Sequence, residues 1–455
     1  MTLRGRMHLF YYLLLSLLIL ITLPIWIWRY ITTPKYRGTV LRRLGWIPAA
    51  EQAPVRGGPR IWLHAVSVGE AMAARALASR ITTTFPDCDL LVTTVTRTGQ
   101  QVVRDKIPEA RTHHFLTLDL PFCLNPLIAA IRPSLLVIME TELWPGLFRL
   151  LARRGIPICV VNGRISPRSF KRYHAIRWLT RRLLADGSLY LMQSPADAER
   201  LIAMGAPPER VQVTGNLKYD QALRPPDPAL LQRLEARLST PSQPVWIAAS
   251  THPGEEALLL AIHRTLLNHP LSPRLILVPR HPERSGEILD LIGQKGLTCQ
   301  RFSQLTGQWD APLLLVDEIG WLAGLYRLAR LVYLGGSLVP RGGQNMLEPA
   351  SCGVPVLFGP HVFNFRDIAA QLLQAGGAIQ VATAPELESR VIGLLESPET
   401  CQRMGEAARA IIPANAGALE RTLEAIGGLL PSPYPVRDMT GGEDDLPPSC
   451  TSERR

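Results

Sequence analysis

Two successive series of short apolar runs constrain this 455-residue chain more than any other feature. The first comprises IWLHAVS (61–67), LLVTTVT (90–96), LLVIME (135–140), IPICVVN (156–162), LYLMQS (189–194) and VQVTGN (211–216). The second comprises VWIAAS (245–250), RLILVPR (274–280), PLLLVD (312–317), LVYLGG (331–336) and VPVLFG (354–359). Runs this short, alternating with helical stretches, read as parallel strands covered on both faces. The predicted fold is α/β: two Rossmann-like, doubly wound domains facing a cleft. A Pro-rich linker at 221–244 separates a domain over 51–220 from one over 245–430. Ligands in such folds collect at the carboxyl ends of the strands.

The amino-terminal part, 1–50, has a different character. From Leu9 to Trp28 the run LFYYLLLSLLILITLPIWIW carries no charge, a length suited to the roughly 30 Å hydrocarbon layer. Its core is longer than that of a cleavable signal peptide, and no small-x-small exit follows. Arg4 and Arg6 precede it; Arg29, Lys35, Arg37, Arg42 and Arg43 follow. The expectation is a membrane-anchor helix with the body in the cytoplasm. Pro24 leaves a monotopic hairpin or an interfacial helix open. The tail 431–455, rich in Pro, Gly and charge, reads as disordered.

A net charge of +11, from 49 Lys+Arg against 38 Asp+Glu, suits an anionic partner such as a nucleic acid, a membrane surface or a phosphorylated substrate. No basic stripe interleaved with aromatics supports nucleic acid. The seven scattered cysteines form no C-x-x-C pair and read as reduced thiols.

Polar clusters recur just after strands. Ser67-Val68-Gly69-Glu70 follows the first, Glu140 and Glu142 the third, Gly163-Arg164-Ile165-Ser166 the fourth, and Leu217-Lys218-Tyr219-Asp220 the sixth. In the second series, Thr251-His252-Pro253-Gly254-Glu255-Glu256 and Arg280-His281 hold equivalent places. Each cluster alone also has a structural explanation, Glu70 as a helix cap among them. The stretch LGGSLVPRGGQNMLEPA (334–350) brings glycines 335, 336, 342 and 343 to a helix start, the geometry of a phosphate cradle. It matches neither a P-loop nor a dinucleotide fingerprint. Asp87-Cys88-Asp89 spells the metal-binding D-x-D of many sugar transferases, but it precedes a strand and lies on the wrong edge. No metal is expected.

Taken in order, HAVSVGE (64–70), METELWPGL (139–147), NGRIS (162–166), TGNLKYD (214–220), VPRHPER (278–284) and GGSLVPRGGQNMLEPA (335–350) resemble one family. They are similar to the 3-deoxy-D-manno-octulosonic acid (Kdo) transferases of Gram-negative lipopolysaccharide assembly. The resemblance covers roughly residues 9 to 425. It implies a GT-B type, inverting, metal-independent glycosyltransferase at the inner membrane, taking CMP-Kdo as donor and a lipid A precursor (lipid IVA) as acceptor. Carried over by motif, Glu70 matches the catalytic base, and Glu140 and Lys218 the residues supporting the transition state. Pro279 and Arg280, then Gly320, Trp321 and Leu322, then Asn345, Met346, Leu347 and Glu348 match donor-contacting positions. The family's middle residue of the second set is usually acidic, so only a backbone contact is carried over to Trp321. A glutamate is ordinarily a feeble base at neutral pH. A helix amino terminus would lower the pKa of Glu70 and enclosure would raise it. Alternatives are a UDP-sugar-dependent GT-B enzyme of the lipid A pathway and a non-catalytic, membrane-anchored nucleotide-binding protein.

Overall fold

The computed structural model describes residues 3–32, 40–48, 57–223, 227–239, 241–305 and 307–431. The tail expected to be disordered lies outside the described residues, apart from Pro431. The chain divides into two compact units. One comprises the chain up to Thr214 together with the segment from Leu419, and the other Gly215–Ala418. The Pro-rich stretch 221–244 contains the Pro228–Arg237 helix and belongs to the second unit.

Seven parallel strands form the sheet of the first unit: β1 Arg60–His64, β2 Asp89–Thr94, β3 Thr112–Phe115, β4 Leu135–Met139, β5 Ile158–Gly163, β6 Leu189–Met192 and β7 Val211–Val213. Their order is β3-β2-β1-β4-β5-β6-β7. All residues of β1, β2, β4 and β5 are buried, which is why their centres are continuous apolar runs, with polar residues such as Arg60, His64, Asp89 and Asn162 toward their ends. The chain reverses direction across the sheet between β1 and β4, so the loops after these two strands flank its topological switch point.

The second sheet is also parallel, with β8 Val245–Thr251, β9 Arg274–Pro279, β10 Cys299–Arg301, β11 Leu313–Leu315, β12 Leu331–Leu334, β13 Val356–Phe358 and β14 Ala378–Gln380. Its order, β10-β11-β9-β8-β12-β13-β14, puts the switch point between β8 and β12. Side chains alternate between two cores. Val245, Ile247, Ala249, Ile276 and Val278 pack on one face, and Trp246, Ala248, Leu275 and Leu277 on the other. The period of two follows from the pleat. Each fully buried Leu, Ile or Val there stabilises the fold by roughly 1.5–3 kcal/mol.

The amino-terminal run folds as one helix, Leu3–Thr32. The expected spanning anchor is corrected here. Among the described residues, no helix is long and apolar enough to cross a membrane. The residues Tyr11, Tyr12, Ser16 and Thr22 place polar groups along this helix. Tyr11 Oη is committed to the protein body, donating to Asp119 Oδ2 at 2.7 Å. Asp119 also accepts the N–H groups of Gly146 (2.7 Å) and Leu147 (2.8 Å). One carboxylate thus caps the Pro145–Arg153 helix and holds the amino-terminal helix against the first unit. Leu13, Leu14, Leu17, Leu18, Leu20 and Ile21 stay exposed.

Cys88, Cys123, Cys159, Cys299, Cys352 and Cys401 are free thiols, as expected. Cys450 lies outside the described residues.

Candidate active site

In the first unit, β1 delivers the chain to Ser67, which caps the Val68–Thr84 helix. Ser67 Oγ donates to Glu70 Oε1 at 3.1 Å, and Val66 N–H donates to Oε2 at 2.7 Å. The glutamate therefore folds back over its own helix start, as in a capping box. It is buried, with 9% exposure. Burial pushes its carboxyl up to about 7; the Val66 N–H opposes the rise, and the charges of Glu140 and Glu142 add to it. Burial thus outweighs the lowering expected of the helix amino terminus. A carboxyl near 7 is tuned for general-base work at neutral pH.

Glu140 follows β4 across the switch point. Its φ of 56° puts a non-glycine residue in the left-handed region, a conformation that costs about 1–3 kcal/mol. Its N–H is tied to Val161 O at 2.9 Å. Thr141 Oγ1 donates to Arg164 O at 2.8 Å and accepts Arg164 N–H at 2.9 Å. These bonds bind the loop after β4 to the loop after β5. Glu142, half-buried, is raised by burial and by the neighbouring Glu140 charge. Glu70, Glu140 and Glu142 thus form one electrostatically coupled group.

Lys218 belongs to the second unit. Asn216 caps the Leu217–Ala222 helix by accepting Lys218 N–H at 3.1 Å. The Lys218 ammonium lies 4.6 Å from the Phe365 ring centroid, within reach of a cation–π contact.

Pro279 ends β9 in the core. Arg280 is exposed, its N–H bonded to Thr251 O at 3.0 Å. Asn345 Nδ2 donates to Glu348 Oε1 at 3.0 Å. Met346 and Leu347 are buried beneath them. Glu348 reaches solvent, yet surrounding protein raises its carboxyl, while Asn345 and the Arg280 charge pull it down. The structure therefore brings Arg280, Asn345 and Glu348 together. Gly320 sits at φ 98°, directly before Trp321 and the Leu322–Leu325 helix. The Trp321 side chain serves packing: its indole N–H donates to Glu318 at 3.0 Å and its ring lies 5.0 Å from that of Phe302.

The phosphate cradle expected of the Gly-rich turn after β12 is occupied from within. Glu255 accepts the N–H groups of Gly336, Ser337 and Leu338. Both glutamates of the cluster after β8 turn inward, Glu255 to this turn and Glu256 to Arg284 and Thr251. The D-x-D aspartate Asp89 begins β2 and is held by Arg111 at 2.6 Å and Arg60 at 3.7 Å.

Residues 39–221 match a family model described as 3-Deoxy-D-manno-octulosonic-acid transferase (kdotransferase). Over 413 residues the chain is 36% identical to the 3-deoxy-D-manno-octulosonic acid transferase of Haemophilus influenzae, covering 90% of this chain and 94% of that protein. The Bordetella pertussis transferase is 32% identical over 416 residues, covering 88% and 95%. A putative UDP-N-acetylglucosamine 2-epimerase from Listeria monocytogenes superposes with a TM-score of 0.55 at 16% identity, covering 82% of this chain and 96% of that one. That likeness shows a GT-B type fold and nothing more.

Proposed function

The chain belongs to the Kdo transferase family, a family of glycosyltransferases, and from that premise we propose that it moves Kdo from CMP-Kdo to a lipid A precursor, lipid IVA. Transfer is a single inverting displacement without a metal. The acceptor hydroxyl oxygen bonds to the anomeric carbon as the bond from that carbon to the phosphate oxygen breaks. CMP leaves with the electron pair, and the hydroxyl proton goes to Glu70.

The observation that carries this reading is the Glu70 carboxyl at about 7, held in place by Val66 N–H and Ser67 Oγ. Positioning a base of matched pKa contributes roughly 10²–10⁴-fold. Glu140, fixed after β4, would face the positive charge growing on the sugar. Lys218 and Arg280 would face the negative charge passing to the phosphate, the electrostatic help such a leaving group needs. Asn345 and Glu348 would hold the nucleotide, with Pro279, Gly320, Trp321 and Leu322 contributing backbone. Metal independence draws support from Asp89, whose carboxylate is already engaged by two arginines.

The proposed place of work is the cytoplasmic face of the inner membrane, in peripheral association. The exposed leucines of the Leu3–Thr32 helix and the net charge of +11 suit an anionic lipid surface. The test is to incubate the purified protein with CMP-Kdo and lipid IVA and to weigh the products. A mass gain of one or more Kdo units supports the reading. No gain with CMP-Kdo, but transfer from a UDP-sugar, would replace it.

A further inference from the structure

The loops after β8 and β12 flank the switch point of the second sheet, and one carboxylate ties them together. Glu255 is fully buried. Its Oε1 accepts Tyr333 Oη at 2.8 Å and the N–H groups of Ser337 and Leu338 at 3.1 Å each. Its Oε2 accepts His252 N–H at 3.0 Å and Gly336 N–H at 2.7 Å. Consecutive N–H groups in a turn make a concavity that holds anions. Here the protein's own carboxylate fills it, so these three donors are spent before any substrate arrives.

Two histidines and two arginines, His252, His281, Arg280 and Arg341, lie about the filled turn. A Cβ on Gly336 would come within 3.0 Å of His252 Cδ2 and 3.3 Å of Arg341 Cβ, so both side chains flank that glycine. The His252 and His281 rings meet edge to face at 6.0 Å. Gln344 Nε2 is 3.3 Å from His252 Nε2. His252 is lowered by burial and by the charges of His281, Arg341 and Arg280, against the opposing pull of Glu255. Glu283 answers His281 at 3.2 Å, and the Glu348 charge acts on Arg280. Among the described residues, neither Arg280 nor Arg341 has an ion-pair partner. The neighbouring Glu256 locks the next loop by accepting Arg284 at 2.9 Å and Thr251 Oγ1 at 3.1 Å.

We propose that His252, Arg280, His281 and Arg341 form a side-chain anion site at this switch point, and that Glu255 is the positioning residue that builds it. The site takes an oxyanion of the donor. This rests on the reading of the chain as a user of CMP-Kdo, which carries two such groups, the phosphate and the sugar carboxylate. With the backbone nest filled by Glu255, the charge of the incoming oxyanion must be answered by side chains. Gly336 sits at φ 67°, where a side chain is strained, and a methyl group there would also enter the space between His252 and Arg341.

The test is calorimetric titration of the full chain and of His252→Ala, Arg341→Ala and Glu255→Gln with inorganic phosphate, CMP and CMP-Kdo. Arg341→Ala should weaken binding about tenfold or more, as loss of a charge-assisted contact does, and His252→Ala about threefold to tenfold, as loss of a neutral hydrogen bond does. Weakening of all three probes assigns the phosphate. Weakening of CMP-Kdo alone assigns the sugar carboxylate. Folded His252→Ala and Arg341→Ala proteins that bind CMP-Kdo within twofold of wild type overturn the proposal. Wild-type protein that binds phosphate but not CMP-Kdo, with phosphate lost in the variants, keeps the site and overturns the donor reading. Glu255→Gln should raise the donor KM about tenfold while leaving the acceptor KM unchanged. An equal rise in both would reduce Glu255 to a structural role.

Discussion

Ser67 and Glu70 cap the same helix start from both sides. The serine hydroxyl accepts Glu70 N–H at 3.5 Å and donates to Glu70 Oε1 at 3.1 Å. A carboxylate at a helix amino terminus is ordinarily stabilised as the anion. Glu70 is nevertheless pushed up to about 7, because it is enclosed and shares its site with Glu140 and Glu142. Capping fixes where the carboxylate is. Burial sets how strong a base it becomes.

This fixes the sign of the pH dependence of turnover. The base must be ionised, so kcat/KM for transfer should rise about tenfold per pH unit below about 7 and level off above it. Glu70→Gln should lose roughly 10²–10⁴-fold in kcat while still binding CMP in a calorimeter. A variant turning over at near-wild-type rate would remove Glu70 from the mechanism.

Stability should move the opposite way. A folded-state value near 7 against an ordinary 4.5 means that the folded protein holds this proton more tightly than the unfolded chain. The associated stability is complete below pH 4.5 and is lost as pH rises through 7. Glu70→Gln removes that loss, so it should gain about 1–3 kcal/mol over wild type at pH 8 and little at pH 5. Urea unfolding at the two pH values measures the difference. An equal effect at both would contradict the burial argument.

The interior strands were legible in sequence because each is enclosed on both faces and carries a continuous apolar run at its centre. Edge strands β3 (THHF), β10 (CQR) and β14 (AIQ) were not, since a single neighbour tolerates short and polar runs; the fourth edge strand, β7, was legible through its two valines. Candidate residues after β1, β4 and β9 could be read from strand ends alone. What hid was long-range pairing. Nothing local to Asp119 announces that it will accept Tyr11, and nothing local to Glu255 that it will fill a turn about eighty residues onward. The twenty uncharged residues from Leu9 to Trp28 suggested a span. Sequence could not show that Tyr11 is turned toward a buried carboxylate.

The Glu348 carboxylate accepts Asn345 Nδ2 and sits in the field of Arg280. Glu348→Ala should raise the donor KM several-fold with little change in melting temperature, because its side chain reaches solvent. An unchanged donor KM would argue against nucleotide contact.

Tyr11→Phe deletes one hydrogen bond to a buried carboxylate and leaves the ring. The loss should be roughly 1.5–3 kcal/mol, felt locally at the Leu3–Thr32 helix. Faster tryptic cleavage near that helix, with unchanged CMP binding, is the expected outcome. Asp119→Asn should do more harm, since it weakens the cap on the Pro145–Arg153 helix as well.

Gly335→Ala tests how tightly the second switch point is closed. A methyl group there would lie 2.6 Å from Ser250 O, 2.6 Å from Thr251 Cα and 2.9 Å from Glu255 Oε2. Two of these are backbone atoms and cannot swing away, so the loops after β8 and β12 must part. Forcing volume into such packing costs about 1–3 kcal/mol. The same parting stretches the bonds from Glu255 to Gly336 and His252. Donor affinity should therefore fall together with the melting temperature. Gly393→Ala, within the Ala384–Glu396 helix with nothing within 4 Å of the added methyl, should change neither affinity nor fold. If Gly335→Ala bound CMP-Kdo as tightly as Gly393→Ala, the closeness of these two loops would have no bearing on donor binding.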